Sequence, residues 1–132
     1  MLASVNRLTS GPVFAETIRR GHRAGGDTLV LHLAVGSGAD PAKVGFVVSK
    51  QVGNAVTRNK VKRRLRHLAR ERIGSLPGSA VLVVRALPAT ASTSYDALGA
   101  DFDRALDRVL ARWQTSVQVT EPGAEQDQGG GR

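Results

Sequence analysis

The chain has 132 residues, a formal net charge of +8 and no cysteine, with a sequence pI of about 11.3. That length holds one domain with its own core and excludes two of ordinary size, while the lack of thiols excludes disulfides and thiolate metal sites. The charge favours a polyanionic partner, nucleic acid before an anionic membrane surface. The longest apolar run, residues 80–84, falls far short of the roughly 20 residues that span a bilayer, so the chain reads as soluble, not exported and, by its cysteine usage, suited to the cytosol.

In chain order, Ser10-Gly11-Pro12 supplies a cap and a proline ahead of Val13, Phe14, Thr17 and Ile18, and the pattern predicts a short helix over 12–20. Residues 28–35, TLVLHLAV, put Leu29, Leu31, Leu33 and Val35 on one face, the alternation of a strand with one core side. After a turn over 36–41, residues 43–50 read as a second strand, paired with the first as an antiparallel hairpin. A helix over 56–72 follows, with a core stripe of Val61, Leu65, Leu68 and Ala69. Residues 79–86, SAVLVVRA, are apolar enough for a central strand. A connection over 88–94 leads into an amphipathic helix that buries Leu98, Phe102, Leu106, Val109, Leu110 and Trp113 and balances its outer charges. Beyond Gln114 the periodicity ends, and residues 114–132 are expected to be a disordered tail behind a single domain of 1–113.

The charge is concentrated in one place. Between Gly53 and Arg72 stand eight Lys or Arg residues against one acid, Glu71. Opposite the core stripe, Asn59, Arg63, Arg66 and Arg70 repeat at helical spacing, flanked by Arg58 and Lys62, with a second row of Lys60, Arg64 and His67. Like charges at i, i+3 and i+4 cost about 0.2–0.5 kcal/mol per pair. An external anion relieves that cost, and phosphates do so with counterion release. Asn59 is anomalous on a purely electrostatic face. Its amide both donates and accepts, which suits a base edge, a ribose 2′-OH or a metal-bound water, or, more blandly, the backbone groups of the helix start.

Hydrolytic chemistry has no visible constellation. The acids lie on the balanced helix or in the tail, and His22, His32 and His67 have no metal-ligand spacing. Autonomous catalysis by the protein is not expected.

The stretch VGFVVSKQVGNAVTRNKVKRRLRHLAR resembles the signature of the protein subunit of bacterial ribonuclease P: a strand, Ser-Lys, Gly-Asn-Ala-Val, then Arg-Asn-Arg running into a basic helix. The resemblance covers about residues 6–112, with NRL at 6–8, the short helix carrying Phe14 and Ile18, and VLVVRALPA before the terminal helix. It implies an α/β (α+β) two-layer sandwich with a small mixed sheet and flanking helices, the basic helix forming an unusual left-handed crossover where general rules predict a right-handed one. It also implies an accessory subunit of a ribonucleoprotein endoribonuclease that cuts the 5′ leader from precursor tRNA. The catalytic RNA hydrolyses the phosphodiester with Mg²⁺, and the protein binds that RNA, one to one, together with the leader, with no protein partner or membrane.

Carried over by position, the RNA-facing residues are Lys50, Asn54, Arg58, Asn59, Lys60, Lys62, Arg63, Arg66 and Arg70. A leader cleft would be lined by Phe14, Ile18 and His32. No residue ligates a metal directly, Asn59 standing near RNA-bound Mg²⁺. Ile18 and His32 depart from a family pattern with frequent aromatics, Lys60 replaces the third signature Arg, and Gln51 stands where many members have Lys. Two readings of other classes compete: a ribosomal or rRNA-binding protein using the same helix, and a helix-turn-helix DNA-binding protein, which would need a short helix where a strand and KQVGN stand.

Overall fold

The computed structural model describes residues 2–120. Its elements are α1 (Gly11–Arg20), β1 (His22–Gly25), β2 (Leu29–Val35), β3 (Lys43–Val47), α2 (Ala55–Arg72), β4 (Ala80–Ala86) and α3 (Tyr95–Thr120), with 3-10 turns at Ser4–Asn6, Ile73–Ser75 and Pro88–Ser92. The four strands form one mixed sheet in the order β1-β2-β4-β3. β4 pairs antiparallel with β2 and parallel with β3, so α2 is the crossover joining two parallel neighbours. The expected hairpin of the 28–35 and 43–50 strands is therefore corrected: β4 lies between them. Val83 and Val84 are fully buried, and a strand with apolar residues on both faces gains most from a neighbour on each side, which outweighs the short β2–β3 connection.

Alternation sorts the sheet into two faces. Leu29, Leu31 and Leu33 join Val44, Leu82 and Val84 under α2 and α3, where Val61, Leu65, Leu68, Leu98, Phe102 and Val109 complete the core. Val30, His32, Val83 and Gly45 belong to the other face, crossed by α1, whose Phe14 ring lies against Gly45. α1 starts where Ser10 Oγ accepts from the Val13 amide at 3.3 Å, with Pro12 in the first turn.

β1, absent from the sequence reading, is a four-residue edge strand. Its outer carbonyls are occupied from α3: Arg108 Nη2 donates to Gly25 O at 3.0 Å, and Arg112 Nη1 donates to Arg23 O. At the opposite edge the N-terminal segment covers the start of β3, with Leu8 N donating to Val44 O at 3.0 Å. α3 continues past Gln114 to Thr120, so the expected boundary at 113 falls within a helix; residues 121–132 of the anticipated tail lie outside the described residues.

Candidate nucleic-acid interface

The entry to α2 is set by Gly53 and Asn54. Asn54 Oδ1 accepts from the Thr57 amide at 2.9 Å, a side-chain N-cap. A Cβ on Gly53 would lie 2.9 Å from Thr57 Cγ2, so only glycine fits the turn beside the cap. Val61, Leu65, Leu68 and Ala69 are buried, and the stripe fixes which side chains face outward. The first turn contains no acid, so the partial positive charge of the helix start meets Arg58 and Lys60 instead of an anion.

The basic side chains divide into two sets. Three are tied to the protein. Arg58 Nε donates to Gly53 O at 3.2 Å and Arg64 Nη1 to Thr93 O at 3.2 Å. Arg72 grips Asp103 at 2.5 and 3.1 Å and holds that carboxyl below the ordinary carboxylate range, mainly through the hydrogen bond. The single acid of the segment, Glu71, is shared between Arg72 and His67, each at 3.4 Å. Among the described residues Lys50, Lys60, Lys62, Arg63, Arg66 and Arg70 form no ion pair with any of the carboxylates. Asn59 is exposed, in the second turn of α2, with no side-chain hydrogen bond. The backbone-capping reading of Asn59 is thus corrected, since that role belongs to Asn54.

Lys62 and Arg66 lean toward β3, where they meet Arg7, Phe14, Gly45 and Phe46 around a groove of about 210 Å³. The groove wraps the edge of β3, with Phe14 on the side of α1 and Phe46, in register with Val84, on the side of α2 and partly buried against the core; aromatic surface and three cations together suit the bases and phosphates of single-stranded RNA. Of the three residues carried over for the leader cleft, only Phe14 lines this groove. Ile18 is half-buried one turn further along α1. His32 is 2% exposed, so its ring is not presented for stacking; its Nε2 accepts from Arg85 Nε at 3.3 Å and its Nδ1 has no partner. Burial above all, then the neighbouring charges of Arg85 and Arg23, lowers its pKa below the ordinary imidazole value. Phe46 and Arg7 escaped the sequence reading, Phe46 because its place in an apolar strand reads as core.

Among the described residues no group of three or more His, Asp or Glu side chains can hold a metal ion, and no helix is long and apolar enough to cross a membrane. An α/β domain whose crossover helix offers cations without acidic partners beside an aromatic groove has the build of a nucleic-acid-binding protein.

The class narrows on comparison with known proteins. The family model described as Ribonuclease P matches residues 2–110, and the chain belongs to that family. The ribonuclease P protein component of a Nocardioides species is 62% identical over 113 residues, covering 84% of this chain and 97% of the relative. That of Streptomyces avermitilis is 50% identical over 118 residues, covering 83% and 96%. Among solved structures, the RNase P protein of Staphylococcus aureus matches with a TM-score of 0.71 at 22% identity, over 77% of this chain and 93% of that one. The Thermotoga maritima protein matches at 0.68 and 23%, over 78% and 96%; at such identities the likeness supports the fold. The chain is therefore a protein component of ribonuclease P, a ribonucleoprotein endoribonuclease in which RNA performs the catalysis, and neither the ribosomal nor the helix-turn-helix reading is favoured.

Proposed function

We propose that α2 binds the ribonuclease P RNA through Lys50, Asn54, Arg58, Asn59, Lys60, Lys62, Arg63, Arg66 and Arg70, and that the Phe14–Phe46 groove holds the 5′ leader of precursor tRNA. The observation that carries this reading is the continuity of the two surfaces: Lys62 and Arg66 belong both to the basic wall of α2 and to the rim of the aromatic groove. A leader leaving the cleavage site passes along that rim. Phe14 and Phe46 stack on its bases, and the cations hold its phosphates without reading sequence. Ile18 and His32 support α1 and the sheet beneath the groove.

The protein supplies position and charge. Mg²⁺ belongs to the RNA in this reading; when bound there, it activates the hydrolytic water. Asn59, exposed beside Arg63 and Arg66 in one shallow depression, contacts a base edge, a 2′-OH or a metal-bound water near that centre. The assembly is one protein per RNA, in the cytoplasm.

Multiple-turnover cleavage of a precursor tRNA by a bacterial ribonuclease P RNA at low Mg²⁺ tests the reading. The protein should restore cleavage, and neutralising six phosphates gives the protein–RNA affinity a log-log salt slope of about −4 to −5. Asn59→Ala should lower the rate and raise the Mg²⁺ requirement. Absence of stimulation, with tight binding to ribosomal RNA instead, would overturn it.

A further inference from the structure

Across α2 from Lys62, the helix surface carries two adjoining depressions. One, of about 320 Å³, is lined by Asn59, Arg63, Arg66 and His67; the other, of about 380 Å³, by Arg63, Arg64, His67 and Tyr95. Arg63 and His67 are common to both, so the depressions form one furrow. Tyr95 begins α3 and is brought to α2 only by the fold. Its ring meets the His67 imidazole edge to face, centroids 6.0 Å apart at 73°. Tyr95 is packed against the core, and His67 keeps 54% of its side-chain surface exposed. The imidazole is thus braced on one side and open on the other.

The cations around the rings differ in freedom. The bond from Arg64 Nη1 to Thr93 O fixes one guanidinium plane, whereas Arg63 is exposed and has no ion-pair partner among the described residues. Double-stranded RNA, whose bases are stacked inward, engages the phosphate contacts alone. A braced, exposed ring between a tethered and an untethered guanidinium suits a nucleotide whose base is splayed out and whose phosphate follows it.

We propose that this furrow seats one unpaired nucleotide of the ribonuclease P RNA, its base stacked on His67 against Tyr95 and its phosphate on Arg63 and Arg64. The proposal rests on the reading above, and it commits to the RNA subunit because its ring and phosphate contacts, His67, Tyr95, Arg63 and Arg64, lie outside the leader groove, which the furrow meets only at Arg66.

The test measures affinity for the ribonuclease P RNA alone over a salt series, for the full chain and for His67→Ala, His67→Phe and Arg63→Ala. Stimulation of cleavage by the unsubstituted protein is measured in the same preparation, and each variant's thermal melt confirms that it is folded. His67→Ala should weaken binding about fivefold or more with an unchanged salt slope, as expected for lost stacking. His67→Phe, which restores a flat ring without charge, should recover most of it. Arg63→Ala should lower the slope by about one. Chemical probing should find one unpaired nucleotide protected by the unsubstituted protein and released in His67→Ala. Unchanged affinity of His67→Ala, a Phe variant no better than the Ala variant, or a loss confined to precursor tRNA binding would each overturn the inference. Failure of the underlying reading has a different signature, since the unsubstituted protein itself would then fail to stimulate cleavage.

Discussion

Gly45 sets the position of the Phe14 ring. A Cβ built there would lie 2.2 Å from Phe14 Cζ and 2.4 Å from Cε1, with Leu8 Cβ at 3.1 Å. Carbon atoms rest about 3.5–4.0 Å apart, so in Gly45→Ala the ring must retreat by about 1.3 Å or more, and β3 cannot yield because it is bonded to β4 along its length. Overpacking of this kind costs about 1–3 kcal/mol, and 2 kcal/mol lowers the Tm of a domain this size by about 8 °C. The same displacement drives the ring into the groove and should weaken binding of precursor tRNA with a long leader more than binding of one with a single leader nucleotide. A double-mutant cycle isolates the cause. In the Phe14→Ala background most of the clash is gone, so adding Gly45→Ala should cost under about 0.5 kcal/mol or even stabilise the strand, where glycine is disfavoured by about 0.5–1 kcal/mol. Equal Tm losses from Gly45→Ala in both backgrounds would refute the argument.

His32 makes stability depend on pH. Its folded pKa lies below that of a free imidazole, so below about pH 6.5 the unfolded chain takes up a proton that the folded imidazole refuses, and stability falls as pH falls, by at most about 1.4 kcal/mol per pH unit for one proton. Urea midpoints at pH 7.5, 6.5 and 5.5 should therefore decline more steeply for the unsubstituted protein than for His32→Leu; parallel profiles would show that the site does not titrate in this way. Asn54→Ala removes the cap of α2 and should cost about 1 kcal/mol in thermal melts. Asn54→Asp keeps the cap and should retain that stability while weakening RNA affinity, because it sets an acid beside Arg58; equal RNA binding by both variants would exclude the N-terminal turn from the interface.

The helices were legible because their signals are local. The stripe from Val61 to Ala69 and the stripe from Leu98 to Val109 are periodic over several turns, and each is buried. Strand order was not legible, since β2 and β3 are close in sequence while the partner that separates them, β4, comes a whole helix later. β1 gave no alternation to read: HRAG buries only Ala24. The cationic face of α2 could be read to the residue, yet its division into tethered and free groups depends on Thr93, Asp103 and Gly53, whose carbonyls and carboxylate come near only after folding. Tyr95 and Phe46 illustrate the same limit from the aromatic side. Their neighbours in sequence mark them as packing residues, and only the tertiary fold brings Tyr95 to His67 and sets Phe46 in one groove with Lys62 and Arg66.

The guanidinium groups of Arg108 and Arg112, laid on the outer carbonyls of β1, bear on the protein's life before assembly. A short sheet with an open border can recruit a second copy strand to strand, and the hazard is greatest while a protein waits for its partner. Here one border is sealed by arginines and the start of the other by the Arg7–Leu8 segment. Self-association through the sheet is thereby discouraged by hydrogen-bond saturation as well as by like-charge repulsion. High salt weakens the repulsion and the hold on RNA alike, whereas the bonds laid on β1 and on Val44 O are short-range and outlast it, so protein stripped from its RNA keeps these guards against strand pairing.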